Sequence, residues 1–357
     1  MKKILVTLVL GLISVLALAS CGGSESSGSD VAVCYYNYAD NYISTVRSAL
    51  DKNLEDANIS YTDYDGANNQ GTQTDQTNTA IAKGAKLLIV NIVDTTSADS
   101  AQGIVDACKE KDIPVIFFNR EVSNTAIDSY EKAAYVGTNA IEAGYLQGDM
   151  IGDYLVNNYD TVDINGDGKI SYVMMKGQEG NKEADYRTQY GVENANIKLK
   201  AAGKPELEFY DSNNSKKYLL DDNGSWSAAQ GTDKMSTVLA KYTIEDNNFV
   251  ELAICNNDNM AEGVIAALNT KGYNTGVATD VNIPVFGVDA TSAALKLISE
   301  NKMTGTVKQD SSKMAKAIFD VTKNGLDGKD LMTGISDNYS VDDDCDKIRI
   351  AYSKVEA

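Results

Sequence analysis

From residue 31 onward, short apolar runs alternate with stretches whose apolar residues recur every three or four positions. The runs 31–36, 86–91, 114–118, 170–176, 250–255, 283–289 and 305–307 predict strands. Ile43, Val46, Leu50 and Leu54 keep helical spacing, as do 140–154 and 260–268. Strands apolar on both faces and separated by amphipathic helices predict parallel sheets covered on both sides. The strands are too many for one small sheet. The expected fold class is therefore α/β, with two Rossmann-like, doubly wound domains. Polar breaks at 119–130, 309–313 and 333–344 suggest a chain that crosses between them more than once.

The first residues follow a different pattern. Lys2 and Lys3 precede the apolar run 4–19, which ends in Leu18-Ala19-Ser20-Cys21. A spanning helix needs about 20 apolar residues. A shorter run behind two positive charges, ending in small residues, reads as an export signal. The cysteine at the cut site matches a bacterial lipobox. Residues 1–20 are expected to be removed, Cys21 to carry the lipid, and 21–30 to form a flexible tether. The expected location is outside the cell, anchored to the membrane by lipidated Cys21.

Charge and composition narrow the chemistry. The net charge of −19 opposes nucleic acid and supplies no basic membrane patch. No histidine occurs in the 357 residues. That excludes histidine triads, histidine bases and histidine-ligated zinc. Cys34, Cys108, Cys255 and Cys345 show no CxxC spacing and read as small buried hydrophobes.

Sites in open α/β sheets gather at the carboxyl ends of strands. Here those ends carry Asn37, Tyr38 and Asp40, then Asn91, then Asn256, Asn257 and Asp258, then Asp289. Each residue alone is an ordinary turn or helix-cap Asn or Asp. Their repetition at strand ends points to a polyhydroxylated ligand, which needs bidentate polar partners.

A second motif lies at Asp163, Asn165, Asp167, Gly168, Lys169 and Ser171. It places oxygen ligands at positions 1, 3 and 5 of a calcium loop, glycine at 6, a carbonyl at 7 and Ser171 at 9. Position 12 is Met174, where an EF-hand has glutamate. A strand, not a helix, follows. Calcium, in a structural role, therefore requires a carboxylate from elsewhere in the chain.

Taken in order, the segments 36–42 (YNYADNY), 91–94 (NIVD), 117–120 (FFNR), 163–170, 256–258 (NND) and 285–289 (VFGVD) resemble the bacterial galactose/glucose-binding proteins. These are type I periplasmic solute-binding proteins of sugar ABC transporters. The resemblance runs from about residue 31 to the C-terminus. It implies two lobes joined by a three-segment hinge, with the sugar in the cleft. The implied lobes are 31–119 plus 310–336, and 120–309 plus 337–357 with the calcium loop. The resemblance implies that Tyr42 and Trp226 sandwich the sugar. It puts Asp40, Asn91, Arg187, Asn257 and Asp289 on its hydroxyls and Tyr36 along the cleft. It makes Glu251 the missing calcium ligand, beside Asp163, Asn165, Asp167 and the Lys169 carbonyl.

The chain departs from the family at several points. Asn181 replaces a common histidine, Glu183 an aspartate, Gln309 an asparagine, and Tyr42 a phenylalanine. Ser171 stands where the last metal ligand is usually glutamine. The implied function is capture of a hexose and its delivery to a membrane permease by a monomer that is not an enzyme. Two alternatives stay open: a co-receptor for a sensor kinase or chemoreceptor, and a glycoside hydrolase using Asp40, Glu183 and Asp289.

Overall fold

The computed structural model describes residues 28–244 and 248–356. The expected signal, Cys21 and most of the tether lie outside these residues. Residues 28–30, expected in the tether, are docked instead. The Gly28 amide donates to the Lys83 carbonyl at 3.0 Å, and Asp30 pairs with Lys86 at 2.6 Å.

The first lobe begins β1 (Val31–Tyr35), α1 (Asn41–Asp56), β2 (Tyr61–Asp65), α2 (Gln70–Ala82) and β3 (Leu87–Val90). It continues α3 (Ala98–Glu110), β4 (Val115–Phe118), α4 (Asn124–Asp128) and β5 (Ala133–Gly137). The second lobe runs α5 (Ala140–Val162), β6 (Ser171–Lys176), α6 (Lys182–Ala201), β7 (Glu208–Phe209), β8 (Leu219–Leu220) and α7 (Ala228–Leu239). Then come β9 (Leu252–Cys255), α8 (Asp258–Asn269), β10 (Val285–Asp289), α9 (Ser292–Ser299) and β11 (Gly305–Lys308). The chain returns to the first lobe for α10 (Ser311–Leu326), β12 (Ser340–Val341) and β13 (Lys347–Arg349), and ends in the second with β14 (Ser353–Glu356).

The sheet orders are β12-β13-β5-β4-β3-β1-β2 and β14-β11-β10-β9-β6-β7, with β8 also on β6. Pairing is parallel except β12 with β13 and β11 with β14. All seven predicted strands occur. The half-exposed edge strand β2 (YTDYD) and the small-residue strand β5 (AAYVG) escaped the apolar pattern.

Alternate residues of each strand feed opposite faces. Val31, Val33 and Tyr35 pack with Leu50 of α1 and Ile318 of α10, while Ala32 packs with Ile104 and Cys108 of α3. In the second lobe Val173 and Met175 meet α7 and α8, and Tyr172 and Met174 meet α5 and α6. Truncating a buried core leucine such as Leu50 costs about 2–5 kcal/mol. All four described cysteines are buried and free.

The chain crosses between lobes at 138–139, 309–310 and 350–352. Only the second crossing coincides with an expected boundary. β5 pairs with β4, so residues 120–138 belong to the first lobe. β13 pairs with β5, which moves 337–349 there too. The polar segments 119–130 and 333–344 misled because they lie within the first lobe, carrying α4 and β12, and are not crossings.

Candidate functional site

A cavity lies between the lobes, where strand ends and helix starts face each other. It holds about 360 Å³ free of protein atoms, part of it open to solvent. The first lobe lines it with Tyr36, Asp40, Tyr42, Asn119 and Arg120. The second contributes Asn181, Glu183, Arg187, Trp226, Asn257 and Asp289, and the 309–310 crossing adds Gln309.

Three of the polar residues are helix N-caps as well. Asp40 accepts from the Ile43 amide at 2.9 Å, Asn181 from Ala184 at 3.3 Å and Asn257 from Met260 at 2.9 Å. Capping and lining coexist because the caps sit at strand-to-helix turns on the cleft floor. Asp40 also accepts from the Tyr36 hydroxyl at 2.5 Å. The Asn257 amide holds the Trp226 carbonyl at 3.1 Å. Trp226 has φ +58°, and a Cβ on Gly177 would lie 2.2 Å from its ring. Only glycine at 177 leaves room for the indole there.

Asn91 does not line the cavity. It is fully buried beneath it, where its amide nitrogen donates to the Phe118 carbonyl at 3.0 Å and its oxygen accepts from Tyr36 N at 3.4 Å. It stitches the end of β1 to that of β4. The lining asparagine is Asn119, at φ +60°, a conformation asparagine tolerates better than most residues. Arg120 was also missed; it lies 4.1 Å over the Tyr36 ring. Both residues follow β4 in the FFNR segment, so the strand-end rule that selected Asp40, Asn257 and Asp289 reaches them too.

The cavity keeps polar atoms of both kinds without partners among the described residues. They are both Glu183 oxygens, Nε and Nη1 of Arg120, Nε of Arg187 and Nε2 of Gln309. Burial pushes the Asp40, Glu183 and Asp289 carboxyls above their ordinary range. The Tyr36 hydrogen bond opposes this at Asp40. Arg187 opposes it at Glu183 and at Asp289, where neighbouring Asp258 adds to the rise. Donors and acceptors in one enclosure suit a neutral group that does both, such as a hydroxyl.

The lobes touch across the cleft. Glu121 pairs with Lys182 at 3.1 Å, and the Asn68 amide donates to the Asn223 carbonyl at 2.7 Å. Arg120 bonds Gln178, and Asn41 bonds Asn259.

The Asp163–Ser171 segment lies outside the residues lining this cavity. Its oxygens are engaged by its own backbone. Asp163 accepts from the Asp167 and Gly168 amides at 3.1 and 2.8 Å, Asn165 from Asp167 at 3.0 Å, and Asp167 from Lys169 at 2.8 Å. Glu251, fully buried, accepts from Ile164, Asn165 and Ser171 at 2.8, 3.2 and 3.0 Å. The Ser171 hydroxyl bonds the Phe249 carbonyl. Burial raises the Glu251 pKa against these amides, and Asp163 raises it further. Among the described residues no three acidic or cysteine side chains converge closely enough to hold a metal. The donors, carboxylate, amide and carbonyl oxygens, are the hard type calcium takes.

The comparisons with known proteins agree with this architecture. The D-galactose/methyl-galactoside binding periplasmic protein of Haemophilus influenzae is 35% identical over 336 residues, 94% of this chain and 92% of that one. A Bacillus halodurans ABC transporter solute-binding protein with bound myo-inositol superposes with TM-score 0.68 at 24% identity, over 92% of this chain and 95% of that one. A Clostridium phytofermentans solute-binding protein with bound β-D-glucose gives TM-score 0.69 at 19% identity, over 91% and 93%. With two lobes, three crossings and a match to the periplasmic binding protein domain over residues 31–330, the chain belongs to the periplasmic binding protein family.

Proposed function

We propose that this protein is an extracytoplasmic receptor that captures a hexose, D-galactose or D-glucose, and presents it to an ABC permease. One observation carries the reading: among the described residues, the interlobe cavity leaves two buried carboxylate oxygens and four buried N–H-bearing atoms without partners. A sugar hydroxyl donates to the first and accepts from the second. Tyr42 and Trp226 enter from opposite lobes and supply apolar faces to the ring. Closure follows because only the closed form brings both halves of the site onto the ligand. The galactoside-binding relative supports the choice of hexose. No step of this reading requires catalysis.

Trp226 is the only tryptophan. Titrating its fluorescence with galactose, glucose, ribose, xylose and arabinose is expected to give a saturable change with a hexose. Calorimetry that detects no heat with any of the five removes the proposal.

Two further parts rest on other observations. Cys21 in Leu18-Ala19-Ser20-Cys21 carries the lipid, and mass spectrometry of the membrane-extracted protein is expected to find the acyl mass on it. Asp163, Asn165, Asp167, Lys169, Ser171 and Glu251 hold a calcium ion. The support is the oxygen-only donor set and a buried Glu251 whose hydrogen-bond partners among the described residues are backbone amides and the Ser171 hydroxyl. A bound ion would offset the mutual repulsion of Glu251 and Asp163.

A further inference from the structure

The Tyr352 side chain is buried and lies in the third crossing. Its hydroxyl is 2.7 Å from Thr138 Oγ1, in the first crossing. It accepts from Arg187 Nη2 at 2.8 Å. The same nitrogen donates to Gln309 Oε1 at 3.2 Å, in the second crossing. Nη1 donates to the Asn256 carbonyl at 2.9 Å, at the end of β9. One guanidinium of the cavity wall thus touches two crossings directly and the third through a single hydroxyl.

Arg187 only donates, so the Tyr352 oxygen accepts from it, and either hydroxyl can donate in the Tyr352–Thr138 pair. Thr138 is fully buried, as is its link to Tyr352. Arg187 keeps Nε free and Gln309 keeps Nε2 free, and both residues line the cavity. A ligand oxygen that takes these two N–H groups immobilises the guanidinium and the glutamine together. It thereby restrains all three crossings.

We propose that Tyr352 is a positioning residue that couples cavity occupancy to the hinge through Arg187 and Thr138. Tyr352 is absent from the cavity lining, so it acts through Arg187 rather than on the ligand. The proposal rests on the sugar-receptor reading for its ligand. Its hinge component stands without one.

The test uses Tyr352→Phe, which keeps the ring and deletes only the hydroxyl, and Thr138→Val, which cuts the same link from the other side. Losing a hydrogen bond to a charged group is expected to weaken D-galactose or D-glucose binding about tenfold in Tyr352→Phe. The loss should appear in dissociation followed through Trp226, with association little changed. Because the three groups act as one unit, the double variant is expected to bind no worse than Tyr352→Phe alone. Independently of any sugar, amide hydrogen exchange at 138–139, 309–310 and 350–352 is expected to quicken in both variants while the β1 and β9 core amides keep their protection.

Wild-type affinity in Tyr352→Phe, or fully additive losses in the double variant, overturns the coupling. Unchanged exchange at the crossings overturns the hinge tie even if affinity falls. A wild-type protein that binds neither sugar defeats the receptor reading, and the exchange measurement then decides the hinge tie alone.

Discussion

The interlobe cavity and the Asp163–Ser171 loop are both rich in oxygen ligands, yet they treat those oxygens in opposite ways. In the loop nearly every side-chain acceptor is already met by a nearby backbone amide. Even the buried Glu251 has three such donors. In the cavity Glu183 is as deeply buried and has none, while Arg120 and Arg187 hold N–H groups in reserve. A buried polar group without a partner costs about 1–3 kcal/mol. Six such atoms around one enclosure are tolerable where a ligand relieves them. The loop meets its oxygens from within; the cavity leaves its polar atoms for a ligand.

The sharpest way to break this contrast is to remove a cavity charge. Arg187→Met deletes the guanidinium, leaving Asp289 without its opposing charge and Glu183 with Arg120 alone. Truncating one partner of a buried charged contact costs about 2–5 kcal/mol, on the order of 30- to 4000-fold in Kd. Calorimetry with the bound hexose is the check, and an unchanged Kd would place the ligand elsewhere. Gly177→Ala should act next, since its Cβ collides with the indole and pushes Trp226 out of position. The expected loss is at least tenfold, of the size of a displaced aromatic contact, with a shifted Trp226 emission.

Asn119 and Asn91 separate contact from support. Asn119→Ala is expected to weaken binding about tenfold with little change in melting temperature. Asn91→Ala removes a buried stitch and should lower the melting temperature more than Asn119→Ala does. The reverse order would restore Asn91 to the ligand.

For the loop, the readout is stability. An ion at 100 times its Kd adds about 2.7 kcal/mol. At about 2–4 °C per kcal/mol for a lobe of this size, chelation should lower the second lobe's melting by roughly 5–10 °C. Glu251→Gln should abolish most of that difference. Melting that ignores chelator refutes calcium.

The smallest effects are in pH. Burial, with Asp51 beside it, raises Asp63 to about 7. A raised carboxyl contributes stability that is full below its unfolded pKa of 3.8 and is lost as pH climbs toward 7. Asp63→Asn should flatten that decline in a melting series. Glu121 behaves oppositely. Burial alone would raise it, but hydrogen bonds from Arg349 and Lys347 hold it at about 2. Its contribution is full above 4.5 and fades as pH falls toward 2, a limb that Glu121→Gln should remove.

Much of this was legible in the chain. Seven strands and the two-lobe α/β class came from apolar runs, and the cavity-lining Asp40, Asn257 and Asp289 from strand-end polar residues, because periodicity and strand polarity are local properties. The family resemblance, not the local pattern, implied Tyr42, Asn181, Glu183, Arg187, Trp226 and Gln309, which also line the cavity. The miss at Asn91 shows where locality stops. It and Asn119 both end strands of one sheet, and only packing decides which side chain turns down to bridge β1 and β4 and which faces the cleft.

The lobe boundaries failed for a related reason. A polar segment looks the same whether it caps one lobe or crosses to the other. Which one it is depends on the strand it next pairs with, as β5 with β4 and β13 with β5. The sequence by itself determined which residues were apolar, which were chemically able to hold a hydroxyl, and that histidine chemistry is absent. Only the tertiary structure decided which polar atoms stay unpaired and that Arg187, Gln309, Tyr352 and Thr138 meet across sequence separations of up to 214 residues. Pairing is a property of space, and no local stretch of the chain contains both partners.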